Sequence, residues 1–217
     1  DVYKRQEYVR VPLADSTLVP APGTGDAAAL LLADNLPTAM AAIERSRVSD
    51  SLTVVGLGAV GLCVVAIARR LGARRIVAID PVAERAAAAV ALGAEIGVAG
   101  GSEPTLSVVE ASGAPAAQRT AFDSAAPGSV ISIISVQTGS DFAFSPIEAY
   151  DRNITVAWGR APVRSILDSH FDLLADVAVE IADVVVSRPD LPLSEGPGVY
   201  AAFADRRLIK GAFDPAR

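Results

Sequence analysis

The sequence predicts an α/β fold built on a doubly wound parallel sheet, and three observations carry that expectation. Short, β-branched apolar runs recur along the chain and alternate with stretches of helical pattern. A glycine turn, Gly56-Leu57-Gly58-Ala59-Val60-Gly61, sits between the first of these runs and an apolar helix. The second run ends in an acid, Asp80, nineteen residues beyond Gly61.

With 217 residues, 51% of them apolar and 20% charged, the chain can bury a sizeable core as one large or two small domains. A net charge of −6 without a sustained basic run argues against nucleic acid or an anionic membrane surface as the principal partner. Small molecules are the expected ligands. Cys63 is the single cysteine, so these residues can form neither an intramolecular disulfide nor a cysteine-built structural zinc site. A reducing cytoplasm fits that usage, and no secretion signal is visible. Residues 1–6 lack an initiator Met and join directly to a strand-like 7–12, so they read as a foreign leader on a fragment.

Residues 52–68 run seventeen positions without a charge, too few for a comfortable membrane span and interrupted by glycine. The pattern resolves into a strand at 52–55, the turn at 56–61 and a helix from about 62 to 71. Residues 74–80 make the second strand, and Pro81 opens a helix that carries the alanine run 86–89. A third strand is expected at 95–100, yet only about half a dozen residues separate it from the fourth, where a parallel crossover takes roughly a dozen. The third crossover helix should therefore be missing, leaving an edge segment that does not pair in parallel or a distorted five-stranded sheet. Further buried strands are expected at 106–113, 128–136 and 153–159, with a helix over 114–126. A long helix should end near Ala182, followed over 188–215 by a loop, a short helix and a last strand.

In the functional reading of the turn, Gly56 makes the tight bend, Gly58 lets the backbone approach a pyrophosphate, and Gly61 permits close helix-to-strand packing. The amides of Leu57, Ala59 and Val60 belong to the same anion-binding helix start. Taken alone, the pattern also describes a glycine-rich turn in a buried αβ unit. Asp80 stands where a ribose-binding carboxylate is expected, and its charge would repel a 2′-phosphate, favouring NAD over NADP. It can equally cap the helix at Pro81. Ligands of open parallel sheets sit beyond the carboxyl ends of the strands, which places Ser112, Val136 and Trp158 beside a cofactor cleft, although each also suits a packing or turn role. Arg85 joins the same cofactor-contact set.

Six blocks in order, EYVRVPLADSTLVPAP, LLLADNLPTAM, VVGLGAVGL, IVAIDPVAER, VVEASGAP and IKGAFDP, resemble the medium-chain, zinc-dependent alcohol dehydrogenases. The resemblance is to the branch of formaldehyde and threonine or polyol dehydrogenases. It implies an enzyme that passes hydride between a small alcohol or aldehyde and a nicotinamide beside a catalytic zinc. It also implies a domain plan: residues 7–45 as a remnant of a GroES-like catalytic domain with its linking helix, 46–160 as the NAD-binding Rossmann domain, and 161–217 as a helix returning to that remnant.

By resemblance, Asp34 stands in the place of an acidic zinc ligand, and a carboxylate is a legitimate zinc donor. Without the family context, Asp34 reads as a cap for the helix after Pro37. Thr38 matches a catalytic position near the nicotinamide, although Ala39 and Met40 depart from the family pattern around it. Lys210 is placed near the cofactor phosphates, where a solvated charge is the other reading. The Cys and His-Glu ligands of the family do not precede Asp34, so the zinc site is incomplete in this chain. His170 and Cys63 read as a helical surface residue and a core residue. Residues 7–20 and 184–215 should expose apolar surface. The family also implies a homodimer through the edge strand near 153–160. Two other readings stay open: a nucleotide-binding module without catalysis, and a zinc-free quinone or enoyl reductase using NADPH, against which Asp80 and Asp34 both weigh.

Overall fold

The computed structural model describes residues 8–48, 50–136 and 141–216; the leader expected at 1–6 lies outside the described residues. Two short helices, α1 (Ala14–Thr17) and α2 (Asp26–Leu32), precede α3 (Asn35–Ser46). The chain then alternates β1 (Ser51–Val55), α4 (Ala59–Arg70), β2 (Arg75–Ile79), α5 (Ala83–Ala91), β3 (Glu95–Ile96), β4 (Thr105–Glu110), α6 (Pro115–Asp123), β5 (Ala125–Ile133), α7 (Pro146–Asp151) and β6 (Thr155–Trp158). It ends with α8 (Val163–Val185), β7 (Arg188–Pro192), α9 (Gly196–Ala204) and β8 (Gly211–Asp214). Six parallel strands lie in the order β3-β2-β1-β4-β5-β6, the doubly wound Rossmann arrangement, with its switch point between β1 and β4.

The two faces of the sheet are apolar for the same reason that the strands read as continuous apolar runs: both are covered. On one face Leu52, Val54, Ile76, Ala78 and Val109 pack beneath residues of α3, α4 and α8. On the other, Val55, Val77, Ile79, Val108, Ile131 and Ile133 meet Phe122 of α6 and Phe144, whose rings stack at 4.6 Å. α4 is buried at every position from Gly61 to Ala68. A helix that is apolar all round belongs inside a protein or a membrane, and here α3, α8 and the sheet enclose it. Among the described residues no helix is long and apolar enough to cross a membrane.

The third crossover helix is indeed missing: between β3 and β4 the described chain forms only turns and bends. The expected loss of parallel pairing is corrected, because β3 pairs with β2 in register Val77 with Glu95 and Ala78 with Ile96, giving six strands rather than five. Geometry explains the tolerance. The eight residues 97–104 can span about 28 Å at roughly 3.3–3.6 Å each, against roughly 14 Å between β3 and β4 at normal strand spacing. The segment starts tight against β2, since a Cβ on Gly97 would overlap Val77 Cγ1 and stand 2.8 Å from Ile79 Cγ1. Arg75 pins both ends, with Nε 2.6 Å from Glu95 Oε1 and Nη1 3.6 Å from Glu103 Oε2.

Other boundaries differ too. α4 starts at Ala59, inside the glycine motif, rather than near residue 62. The tail expected as a loop contains β7, which pairs in parallel with β8 over a small cluster of Leu191, Val199 and Leu208. α8 runs to Val185 and leaves helical geometry at His170 (φ −133°, ψ 16°), whose Nε2 sits 2.9 Å from Glu44 Oε1 on α3. Tyr8, Val9, Leu13 and Leu18 are exposed, as are Tyr200 and Phe203, in line with the apolar surface expected at 7–20 and in part of 184–215.

Two consequences can be measured. Burial pushes the Cys63 thiol up to about 12, and thiolate is the reactive form. At mildly alkaline pH a thiol reagent should therefore leave the native chain unmodified and react once it is denatured; fast native labelling would contradict this packing. The second concerns α7, which opens with a reciprocal capping box between Ser145 and Glu148. Arg119 Nη1 donates to Glu148 Oε1 at 2.7 Å and, with the Ser145 contacts, holds that carboxyl down to about 2 from 4.5. A depressed carboxyl stabilises above its unfolded pKa, so this contribution is complete above pH 4.5 and is lost as pH falls toward about 2. It is small because both groups face water. Denaturation midpoints of wild type and Glu148→Gln should differ above that window and converge below it.

Candidate functional site

At the carboxyl end of β1 the chain turns on Gly56 (φ +90°), whose amide donates to Ile79 carbonyl oxygen at 2.9 Å. A Cβ here would stand 2.7 Å from Ser112 Cβ, so a side chain is excluded by space as well as by backbone conformation. A Cβ on Gly61 would overlap the carbonyl oxygen of Gly56, so the first turn of α4 rests directly on the backbone of the turn. Gly58 differs: its φ of −72° suits any residue and nothing lies within 4 Å of a Cβ built there. The missing side chain leaves a backbone-lined opening above the helix start. α4 has no acid in its first turn and no side-chain cap, so the amides of Ala59, Val60 and Gly61 point out without an intrahelical acceptor and with the positive end of the helix dipole behind them.

Asp80 closes the side of this opening. Its Oδ2 accepts from the Leu57 amide at 2.7 Å and its Oδ1 from the Val82 amide at 2.8 Å. The carboxylate thus touches the glycine turn and the approach to α5, but the cap expected at Pro81 is corrected, because α5 starts at Ala83 with Val82 at its N-cap and no side chain capping it. Arg85, half-buried on the first part of α5, has a buried Nε with no acceptor among the described residues.

The turns after β4 and β5 form the opposite wall. Ser112 and Val136 are exposed on it, and a Cβ on Gly113 would lie 3.0 Å from the Val136 carbonyl oxygen. Trp158, at the end of β6, is half-exposed with its ring 5.4 Å from Phe142. Beneath the wall is a residue to which the sequence reading attached no role. Glu110, the last residue of β4, is fully buried. Its Oε1 accepts from the amides of Ser112 at 2.7 Å and Gly113 at 2.8 Å, and its Oε2 accepts from the Ser135 hydroxyl. The signal available in the sequence was an acid ending an otherwise uncharged strand.

Asp34 takes the N-cap position of α3, yet its side chain caps nothing; it accepts from the Thr38 hydroxyl at 3.0 Å and stays exposed. Among the described residues no three His, Cys, Asp or Glu side chains are placed to hold a metal ion, so the donors present do not make up a zinc site. Lys210 and Asp34 are nevertheless neighbours of the same helix: beyond the dominant effect of burial, Lys210 lowers and Asp34 raises the Cys63 pKa. The fold thus brings the glycine turn, Asp80, Ser112 and Val136 around one opening and sets Asp34 and Lys210 within electrostatic reach of α4. It leaves His170 apart, paired with Glu44.

No family model matches the chain. A search of characterised sequences finds the Mycobacterium tuberculosis protein named probable zinc-binding alcohol dehydrogenase, 31% identical over 207 residues covering 90% of this chain and 53% of that protein. A medium chain reductase/dehydrogenase of an Acremonium species is 38% identical over 168 residues, covering 67% of this chain and 57% of its own length. Among solved structures, alcohol dehydrogenase TADH from Thermus sp. ATN1 superposes with a TM-score of 0.81 at 29% identity, covering 92% of this chain and 61% of that one. The chain spans about half the length of the curated relatives it matches. The order of the blocks, the strand order and these matches agree: the chain belongs to the medium-chain, zinc-type alcohol dehydrogenase family.

Proposed function

We propose that this chain binds NAD(H) at the opening above α4 and supplies the cofactor half of a dehydrogenase acting on a small alcohol or aldehyde. The observation that carries the proposal is the bond between Asp80 and the Leu57 amide, which sets a carboxylate beside a backbone-lined anion cradle. The cradle amides bind the pyrophosphate, and the remaining lone pairs of Asp80 accept the adenosine ribose hydroxyls. The charge of Asp80 repels a 2′-phosphate. Ser112, Val136 and Trp158 line the path to the nicotinamide, Arg85 faces the adenosine end, and Lys210 adds positive charge toward the phosphates. The nicotinamide, when held there, would supply the hydride acceptor for the alcohol carbon. Asp34, with Thr38 holding its orientation, is one carboxylate donor of a metal set that these residues do not complete. That shortfall favours a second reading for this chain by itself: a dinucleotide-binding module that turns nothing over.

Calorimetric titration separates the cofactors, with NADH expected to bind more tightly than NADPH; the reverse order would remove the ribose role of Asp80. Asp80→Ala should weaken NADH about 10- to 100-fold, the worth of hydrogen bonds to a charged group, while the circular dichroism spectrum is kept. The glycines offer an independent check. Gly58→Ala has room in the fold and should melt close to wild type while losing at least about tenfold in NADH affinity. Gly61→Ala, which drives a methyl into the Gly56 carbonyl, should lower the melting temperature itself. If Gly58→Ala binds NADH as wild type does, the pyrophosphate is not where we place it.

A further inference from the structure

Glu110 is the one fully buried acid among the described residues. Burying a carboxylate costs several kcal/mol unless it is well satisfied, and a Val at the end of β4 would simply continue Val108 and Val109, both fully buried. No salt-bridge partner of Glu110 occurs among the described residues. What the carboxylate supplies is acceptors, and all three donors lie on turns rather than on strands: the Ser112 and Gly113 amides after β4, and the Ser135 hydroxyl after β5. Those turns also touch the rest of the opening. Ser112 packs against Gly56, and Gly113 backs onto the Val136 carbonyl.

The geometry points to Glu110 as a positioning residue of the cofactor cleft, fixing the turn after β4 against the turn after β5 and so setting where the nicotinamide half of the dinucleotide lies. This rests on the dinucleotide reading above. The carboxylate touches no ligand; it acts through Ser112, Gly113 and Ser135. A tie that served only folding would show itself in stability and leave the pose of a bound cofactor unchanged.

Two variants of the full 217-residue chain test this without removing the buried group. Ser135→Ala removes the hydroxyl that links Glu110 to the β5 turn. Glu110→Gln keeps all three contacts, since its carbonyl oxygen can take both amides while its NH₂ donates to the Ser135 hydroxyl, which can accept. NADH affinity is read by fluorescence titration, and pose by energy transfer at saturation from Trp158, the single tryptophan, to bound NADH. Ser135→Ala should weaken NADH about tenfold, the worth of one hydrogen bond to a charged acceptor, and change the energy transfer at saturation, which a loss of melting temperature by itself would not do. Glu110→Gln should return both readings to within about threefold of wild type. The inference is overturned if Ser135→Ala matches wild type in affinity and transfer, or if Glu110→Gln folds but binds as poorly as Ser135→Ala. Wild-type chain that fails to bind NADH at all would defeat the dinucleotide reading itself, before any variant is compared.

Discussion

The first turn of α4 lies on the backbone that precedes it, and the absence of a methyl group at Gly61 is what lets it do so. Everything around the opening follows from that approach. With the helix start pressed against the Gly56 carbonyl, the Leu57 amide is turned sideways toward β2, where Asp80 accepts it. Gly56 in turn offers Ser112 a surface without a side chain, which brings the end of β4 against the end of β1. Three strands thus deliver their carboxyl ends to one place through contacts that leave no room for an added carbon. A side chain at Gly56 or Gly61 would part the turn from its neighbours, whereas one at Gly58 would meet no protein atom within 4 Å.

Charge is arranged across the opening in the same economical way. The chain is acidic overall, at −6, yet the first turn of α4 carries no acid. The amide dipoles there remain the local positive end. Asp80 stands to one side as a fixed negative charge already hydrogen-bonded by two main-chain amides. The NAD(H) proposal rests on this pairing of a positive helix end with a carboxylate beside it.

How far the sequence reveals this depends on the range of the forces involved. β1, β2, α4 and the Asp80 spacing were readable because they are set by local periodicity and by steric demands that few residues meet. The start of α4 at Ala59 was displaced because Ala59 and Val60 look like turn residues until the dipole and packing of the helix include them. β7 carries Pro189 and Pro192, residues that a strand pattern disfavours; in a two-stranded ribbon each strand keeps one edge free of pairing, and a residue without an amide hydrogen is tolerated there. Asp34 looked like a cap by position, and only the side-chain geometry shows its oxygen committed to Thr38 instead. Glu110 is not legible locally because its contact reaches Ser135, twenty-five residues away across a strand pair, and no local pattern encodes that partner.

The missing crossover helix shows why the opening survives changes elsewhere. The helix would cover the face of the sheet that holds Val77, Ile79 and Val108, and without it Leu106 near the start of β4 and Val98 in the connection are exposed. Val77 and Val108 stay buried all the same, in one cluster with Phe122 and Phe144, while Gly97 packs against Val77 and Arg75 holds the connection. The loss falls at the edge and at the amino end of β4. At the carboxyl ends, where the ligand opening lies, position is set by the Asp80 bond to the glycine turn and by Glu110 beneath the turns after β4 and β5. A sheet whose working ends are tied by their own side chains does not need a helix on the far connection to keep them in register, so the crossover can shorten while the cradle keeps its shape.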